Sequence, residues 1–398
     1  MTSLAVTTRT GDGLALGPDL VDAARRAVAS ALAQLGPGPA PDLALVWVSG
    51  GTPEQTDAAL KVASYGIGAS TTLGCTAYGV IGAGRAVESD RAVSVWAARL
   101  PGVSLRSFHL EVLRTSEAIA VVGMPERRVD DAVGVLLVDP WSFPVDGFVG
   151  QSYDVLRGLP LVGGLASGSV EPGETRLLVD GRVVDRGAVG VVIGGDVAVR
   201  TLVSQGCRPI GRPMTVTAAE GHRITGLAGQ SPLVQAEVAI SELPEDARDM
   251  AVHGLHLGVA MDEYALEHGR GDFVARGLVA ADDLDGSISV GDVVPVGSTV
   301  QFLLRDASTA HEDLADELDG LRREIGFERV AGALLFTGDG RGRELFASAE
   351  HDVAAVRGSL GVEHVGGFFA SGEIGPVGGR NHVHGVTATV LAFEDSAR

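Results

Sequence analysis

Lysine is almost missing from this 398-residue chain. Lys61 is the only one, and the rest of its 31 basic residues are arginines. A P-loop needs a lysine behind its glycines to reach phosphates, and a Schiff-base enzyme needs a lysine amine in a pocket. Lys61 falls in a predicted surface helix, which excludes both classes. Cysteine is nearly as scarce. Cys75 and Cys207 are too few for a disulfide framework or a four-ligand zinc site. Aromatics make up only 5% of the chain, so Val, Leu, Ile and Ala must supply the core. No stretch of about 18 apolar residues occurs, so nothing is expected to span a membrane. Met1 to Gly17 has neither a basic start nor an apolar run, so no secretion signal is expected and the chain reads as cytoplasmic.

Positive charge is also in deficit. The net charge of −20 repels phosphate backbones and acidic lipid surfaces, so neither nucleic acid nor membrane is an expected partner. In excess is glycine, with 56 residues and no collagen-type period. Such glycines mark turns and close backbone approaches.

The chain opens with an amphipathic helix over Asp19 to Leu35 and a stiff linker, Gly36-Pro-Gly-Pro-Ala-Pro41. A pattern then recurs three times. Leu43 to Val48 is a continuous apolar run, the mark of a strand buried on both faces. It is followed by a helix with a capping box, Thr52-Pro-Glu-Gln55, and by the small-residue segment Gly74-Cys-Thr-Ala-Tyr-Gly-Val-Ile81. Val133 to Val138 starts the second copy, leading through a helix around Gly150 to Gly163-Gly-Leu-Ala-Ser-Gly168. Gly332 to Phe336 starts the third, leading through a helix near His351 to Gly366-Gly-Phe-Phe-Ala-Ser-Gly372. The expected fold is α/β, with repeated α/β units forming mixed sheets in two closely packed domains. Between the second and third copies lie a helical stretch from Ser231 to Met250 broken at Pro244, hairpins from Phe273 to Leu304, and a helix from Ser308 to Ile325.

There is no H-E-x-x-H, no G-x-S-x-G and no intact G-x-G-x-x-G. Four places carry candidate chemistry. Cys75 has no basic neighbour in sequence to lower its thiol pKa, so it reads first as a buried structural cysteine and only second as a pocket-lining thiol. Arg208 sits beside a proline that holds an extended backbone, ready for a carboxylate of a ligand or of the protein. Asp339 and Arg341 lie in the glycine-rich loop after a strand, where α/β folds bind ligands. Glu373, Arg380, Asn381 and His384 are the polar groups of Ser371-Gly-Glu-Ile-Gly-Pro-Val-Gly-Gly-Arg-Asn-His-Val-His-Gly385. Glu373 and Arg380 could face one cavity and hold the two ends of a zwitterion, or simply pair with each other. His382 and His384 alternate and so share a strand face.

These motifs resemble the FIST family, sensory proteins with an N-type and a C-type domain. The likeness rests on Gly74 to Ile81, Gly163-Gly-Leu-Ala-Ser167 and Gly206-Cys-Arg-Pro-Ile-Gly211 in one half. In the other it rests on Gly340-Arg-Gly342, Leu345-Phe346, His351-Asp352, Gly367 to Pro376, Gly378-Gly-Arg-Asn381 and His384-Gly385. Two departures stand out: the loop Thr337-Gly338-Asp339, where a Cys or Ser and an Asn are expected, and His382, where an aromatic is expected. The resemblance implies an arm over residues 1–41, an N-type domain over 42–232 and a C-type domain over 233–398. It also implies a sensory input protein for a small ligand, with amino acids the ligand class, rather than an enzyme. The candidate ligand-binding residues are then Cys75, Arg208, Asp339, Arg341, Glu373, Arg380, Asn381 and His384. No F-box, kinase, cyclase or DNA-binding module fits in the short arm, so the output is expected from a separate protein such as a kinase. No metal is expected. The alternatives are a haem-binding nitric oxide sensor using His351, His382 or His384, and an enzyme with Cys75 as nucleophile.

Overall fold

The structure, a computed structural model, describes residues 7–115, 118–263, 265, 271–326 and 329–395. The first six residues of the expected arm lie outside them. The chain forms two compact units, one of Met1–Val203 with Ala315–Arg398 and one of Ser204–Leu314.

The first unit begins with β1 (Arg9–Leu16) and α1 (Leu20–Leu35). A first copy follows: β2 (Leu43–Ser49), α2 (Pro53–Ile67), β3 (Thr71–Ala77), β4 (Gly79–Gly82), β5 (Arg85–Glu88) and β6 (Ala92–Arg99). A hairpin of β7 (Val103–Arg114) and β8 (Ile119–Val122) leads to the second: β9 (Asp131–Val138), α3 (Val145–Val155), β10 (Leu161–Leu165), β11 (Leu177–Val179), β12 (Arg182–Val184) and β13 (Ala188–Gly195), then β14 (Val199–Ser204).

The chain then builds the second unit. Its strands are β15 (Cys207–Glu220), β16 (Arg223–Leu227), β17 (Leu255–Ala260), β18 (Phe273–Asp282), β19 (Ser287–Val290) and β20 (Thr299–Arg305), with α4 (Pro232–Ser241) and α5 (Glu245–Gly254) between β16 and β17. The strands close into a barrel in the order β15-β16-β19-β18-β17-β20. Its core joins Val216, Ile224, Leu257 and Phe302 to Ala236 and Ala239 of α4 and to Ala247 and Ala251 of α5.

Through α6 (Ala307–Ile325) the chain returns to the first unit and its third copy. This comprises β21 (Arg329–Gly338), α7 (Arg343–Phe346), α8 (His351–Leu360), β22 (Val365–Ala370), β23 (Glu373–Val377), β24 (Arg380–His384) and β25 (Ala388–Asp395).

The three expected repeats are there as one pairing pattern used three times. β2, β9 and β21 run parallel to β3, β10 and β22 and antiparallel to β6, β13 and β25. A hairpin from another copy completes each sheet: β11–β12 joins β3, β23–β24 joins β10, and β4–β5 joins β22. No copy's sheet is whole without a neighbour. This exchange divides the small-residue segment Gly74 to Ile81 between two strands. β3 and β4 belong to different sheets, and the chain crosses between them at Tyr78.

Burial follows the alternation of side chains along a strand. Leu43, Leu45 and Trp47 of β2 enter a central core with Val133, Val135 and Leu137 of β9 and Leu334 and Phe336 of β21. Ala44, Val46 and Val48 face the other way, onto α1 and α2. Both faces are dry, hence the unbroken apolar runs. The recurring glycines have one job in all three copies. Gly74, Gly163 and Gly367 stand beside Val46, Leu136 and Leu335. A Cβ at these glycines would fall 2.4, 1.9 and 1.8 Å from the carbonyl oxygens of those partners, closer than any side chain tolerates. The sequence gives little sign of β1, because Gly11 and Gly13 break its alternation. Those glycines let the strand lie against the backbone of α1.

Candidate functional site at the carboxyl end of the third sheet

Parallel β21 and β22 end side by side at Gly338 and Ala370. Beyond them lie the loops carrying Asp339 and Arg341, Ser371 and Gly372, and Gly385 to Thr387. Asp339 N–H donates to the Ala370 carbonyl (2.9 Å) and Gly338 N–H to the Thr387 carbonyl (3.0 Å), which ties the three loops together. Asp339, Ser371 and Gly385 are exposed, and Glu373 lies fully buried beneath them.

Thr387 donates its N–H (2.7 Å) and its hydroxyl (2.8 Å) to Glu373 Oε2. Oε1 has no hydrogen-bond partner among the described residues. Burial pushes the carboxyl up to about 8; the Thr387 bonds oppose the rise, the charge of Asp339 adds to it, and Arg341 opposes it more weakly. Glu373 is therefore largely protonated at neutral pH. Oε1 lies toward Gly338, where a Cβ would sit 2.9 Å from it and 2.7 Å from the Val386 Cα. Val386 has φ +63°, a conformation rare for a β-branched residue and costing about 1–3 kcal/mol. Strain and an unsatisfied acid thus meet at one point.

Next to this acid is a buried, ion-paired charge. Arg341 is 0% exposed. Its Nε and Nη2 donate to Asp352 Oδ2 (2.8 Å) and Oδ1 (3.0 Å), the two-pronged geometry that suits guanidinium and carboxylate. Thr337 Oγ1 also donates to Asp352, and His351 Nδ1 lies 2.9 Å from Oδ1. Burial alone would raise the Asp352 carboxyl. The Arg341 charge and these hydrogen bonds outweigh it and hold the group well below the usual carboxylate range. The ring of Phe346 stacks on His351 at 3.5 Å and lies under the Arg341 guanidinium at 5.4 Å. Gly342 is dictated by Glu88, whose carboxylate accepts from Arg343 N–H (3.1 Å) and would lie 2.0 Å from any Cβ at position 342.

Of the expected site residues, the structure gathers Asp339, Arg341, Glu373 and His384. His384 stands across the strand pair from Glu373, its Nε2 at the Gly375 carbonyl (3.1 Å). The others lie elsewhere. Arg380 corrects the expectation of a Glu373–Arg380 pair in one cavity. It stands at the far end of the β23–β24 hairpin, opposite Val377, exposed and with its guanidinium over the Tyr153 ring (5.0 Å). Its glycine-rich spacer forms the tight turn that keeps the two apart. Asn381 is buried as a structural clip. Its amide donates to Ser152 Oγ and the Leu159 carbonyl and accepts from Leu161 N–H, each at 2.9 Å. Arg208 belongs to the second unit and pairs with Asp306 (3.3 Å), which caps α6 through Thr309 N–H.

Cys75 is fully buried in the central core, with its thiol pushed far up by burial. It lines no cavity. In the native protein it should resist thiol reagents and react only on unfolding, and Cys75→Ala should cost about 1 kcal/mol. Peptide-level mass mapping reads this directly; rapid native labelling would contradict it.

Asp352, Thr337, Thr387 and Glu88 were not visible as site residues in the sequence. Asp352 stands inside a family-like motif and Thr337 at a departure from the pattern, but only the fold shows that Asp352 meets both Thr337 and Arg341. Among the described residues, no group of three or more His, Cys, Asp or Glu side chains is placed to hold a metal.

A three-copy α/β unit thus carries a buried, half-satisfied acid under glycine-rich loops. Residues 42–230 match the FIST N domain and residues 236–376 the FIST C domain, and the chain belongs to the FIST family. FIST domains are associated with sensing in signal transduction. Two uncharacterized proteins of Mycobacterium tuberculosis, strains CDC 1551 and H37Rv, are 38% identical to it over 97% of this chain and 100% of theirs. One from Mycobacterium bovis is 39% identical, over 97% and 99%. Among solved structures, cyanuric acid hydrolase from A. caulinodans aligns over 97% of this chain and 99% of its own at 13% identity. Its TM-score of 0.27 is too low to bear on fold or function. Among the described residues no helix is long and apolar enough to cross a membrane.

Proposed function

We propose that the protein is the input module of a signalling pathway. It senses a small amine-bearing metabolite, an amino acid or a close relative, at the carboxyl end of β21 and β22. The observation that carries this reading is Glu373, a fully buried carboxyl with one oxygen unpartnered and an affinity for its proton raised to about 8. A ligand ammonium at Oε1 would replace that proton, since an adjacent cation favours the ionised acid. The exposed Asp339 adds a second negative charge to the same end. Admission requires the Gly385–Val386 segment to shift, and relief of the strain at Val386 lowers the cost of that shift. A separate protein reads the bound state.

The geometry of His384 and His351 favours this reading over haem. His384 Nε2 is engaged by Gly375, and His351 lies flat on Phe346 with Nδ1 at Asp352. The burial of Cys75 likewise speaks against an enzyme using its thiol.

A panel of common amino acids and the corresponding amines, followed by thermal shift and calorimetry, tests the proposal. Binding should raise the melting temperature and release a proton near neutral pH, seen as a heat that varies with the buffer's ionisation enthalpy. Glu373→Gln, which mimics the protonated acid and so keeps the fold, should abolish both signals. Undiminished binding to that variant, or no binding by any member of the panel, would refute the proposal.

A further inference from the structure

A second polar site lies in the first unit, built around a buried acid. Asp12, in the middle of β1, is 1% exposed. Its Oδ2 accepts the Ala83 N–H (2.7 Å) and its Oδ1 faces His364 Nδ1 (3.0 Å). A carboxylate accepts hydrogen bonds and, when ionised, has none to give; the Gln34 amide nitrogen donates to the same Oδ1 (2.8 Å), and the Nδ1 contact with that acid requires the proton on Nδ1. In the neutral ring Nε2 is then the acceptor. No hydrogen bond occupies Nε2 among the described residues, and the ring, at 19% side-chain exposure, lies on the wall of a cavity of about 340 Å³. Asp12, Gln34, Ala83, Arg357 and Glu363 complete that wall.

The turn that serves Asp12 also places Arg357. Ala83 gives its N–H to the acid. Next to it, Gly84 leaves room for the Arg357 guanidinium, whose Nη1 would lie 2.1 Å from a Cβ at that glycine. Arg357 has no ion-pair partner among the described residues. A second hollow of about 300 Å³ shares His364 and Gln34 and is lined by Arg9 and Arg329, likewise without ion-pair partners among those residues. Three exposed arginines without ion-pair partners among the described residues thus stand around one oriented imidazole.

We propose that this is a binding site for a phosphoryl group, of a phosphate monoester or of free phosphate. The arginines supply positive charge and fork-shaped donors for its oxygens. His364 Nε2 accepts the hydrogen of a P–OH, and Asp12 holds the ring in the tautomer that can do so. The opposing acids, Asp12 and Glu363 in this cavity and Asp395 in the second hollow, set a requirement: the ligand must present that hydrogen rather than bare negative charge alone.

The probe is inorganic phosphate added to the full chain, observed through the ring nitrogens of His364 by NMR, with sulfate at matched ionic strength as the comparison. Phosphate should shift the Nε2 resonance saturably. Sulfate, which has no hydrogen to give at neutral pH, should do so much less. Arg357→Ala, an exposed change that spares the Asp12–His364 pair, should weaken phosphate binding roughly tenfold. Arg186→Ala, which removes the same charge from an exposed pair with Asp185, should leave it unchanged. A phosphate monoester that displaces inorganic phosphate marks the ester as the occupant; failure to displace marks free phosphate. The proposal falls if phosphate leaves His364 unmoved, if sulfate acts equally, or if both arginine variants behave alike.

Discussion

Arg341→Met should destabilise the protein by about 3–5 kcal/mol, the range seen when one member of a buried ion pair is removed. The loss comes less from the missing attraction than from what stays behind. Asp352 is almost fully buried and sits among Thr337, His351 and the hole left by the guanidinium. Without its cation it must remain charged in a poor solvent or take up a proton, and each is costly. Arg341→Met with Asp352→Leu removes both charges and should recover much of the loss, because a packed apolar pair of similar volume can replace a buried salt bridge at small cost. Denaturant titration of the two single variants, the double variant and the parent gives the coupling. A single-variant loss below about 1 kcal/mol would place the pair with exposed salt bridges and defeat the argument. The same pair sets an acid-side dependence. Asp352 is held below its unfolded value near 4, so its contribution is present above that pH and is lost as the pH falls through the folded value.

The sequence reveals much of this fold, through the physics of strands buried on both faces. Leu43 to Val48, Val133 to Val138 and Gly332 to Phe336 are unbroken apolar runs because one set of alternate side chains enters the central core while the other meets outer packing, on helices in the first two copies. The Gly-rich segment that follows each run is legible for a related reason, the approach of a neighbouring carbonyl to within reach of any Cβ. What cannot be read is which sheet a hairpin joins. β4–β5, β11–β12 and β23–β24 each cross to another copy's sheet, a relation between positions as far apart as Ile81 and Gly367. The site shows the same division. Glu373 stands out as an acid among glycines, and its nearness to Asp339 follows from the loops. The pairing imagined with Arg380 fails because a hairpin turns between them and sends the two ends to different surroundings. Asp352 reads as an ordinary first-turn helix acid until the fold brings Arg341 to it.

Glu373 should make the protein lose stability as the pH rises from about 4.5 to about 8. Its folded-state affinity for a proton exceeds that of the unfolded chain, so the native state binds more protons across that window. Stability then declines with pH through the window and levels off above it, the reverse of the usual carboxylate. Each tenfold gain in proton affinity is worth about 1.4 kcal/mol, so the ceiling is on the order of 5 kcal/mol. Glu373→Gln keeps an acceptor for Thr387 and has no proton to lose. The denaturation midpoint of the variant should therefore lack this slope, while every other titrating group contributes equally to both proteins. Parallel pH profiles for parent and variant would show that Glu373 is ionised normally. A saturating amine ligand should flatten the parent's profile too, because an ammonium at Oε1 stabilises the ionised acid that burial alone penalises. The two measurements separate two failures. A slope that vanishes in the variant but is untouched by amines leaves the buried acid intact and removes only the ligand assigned to it.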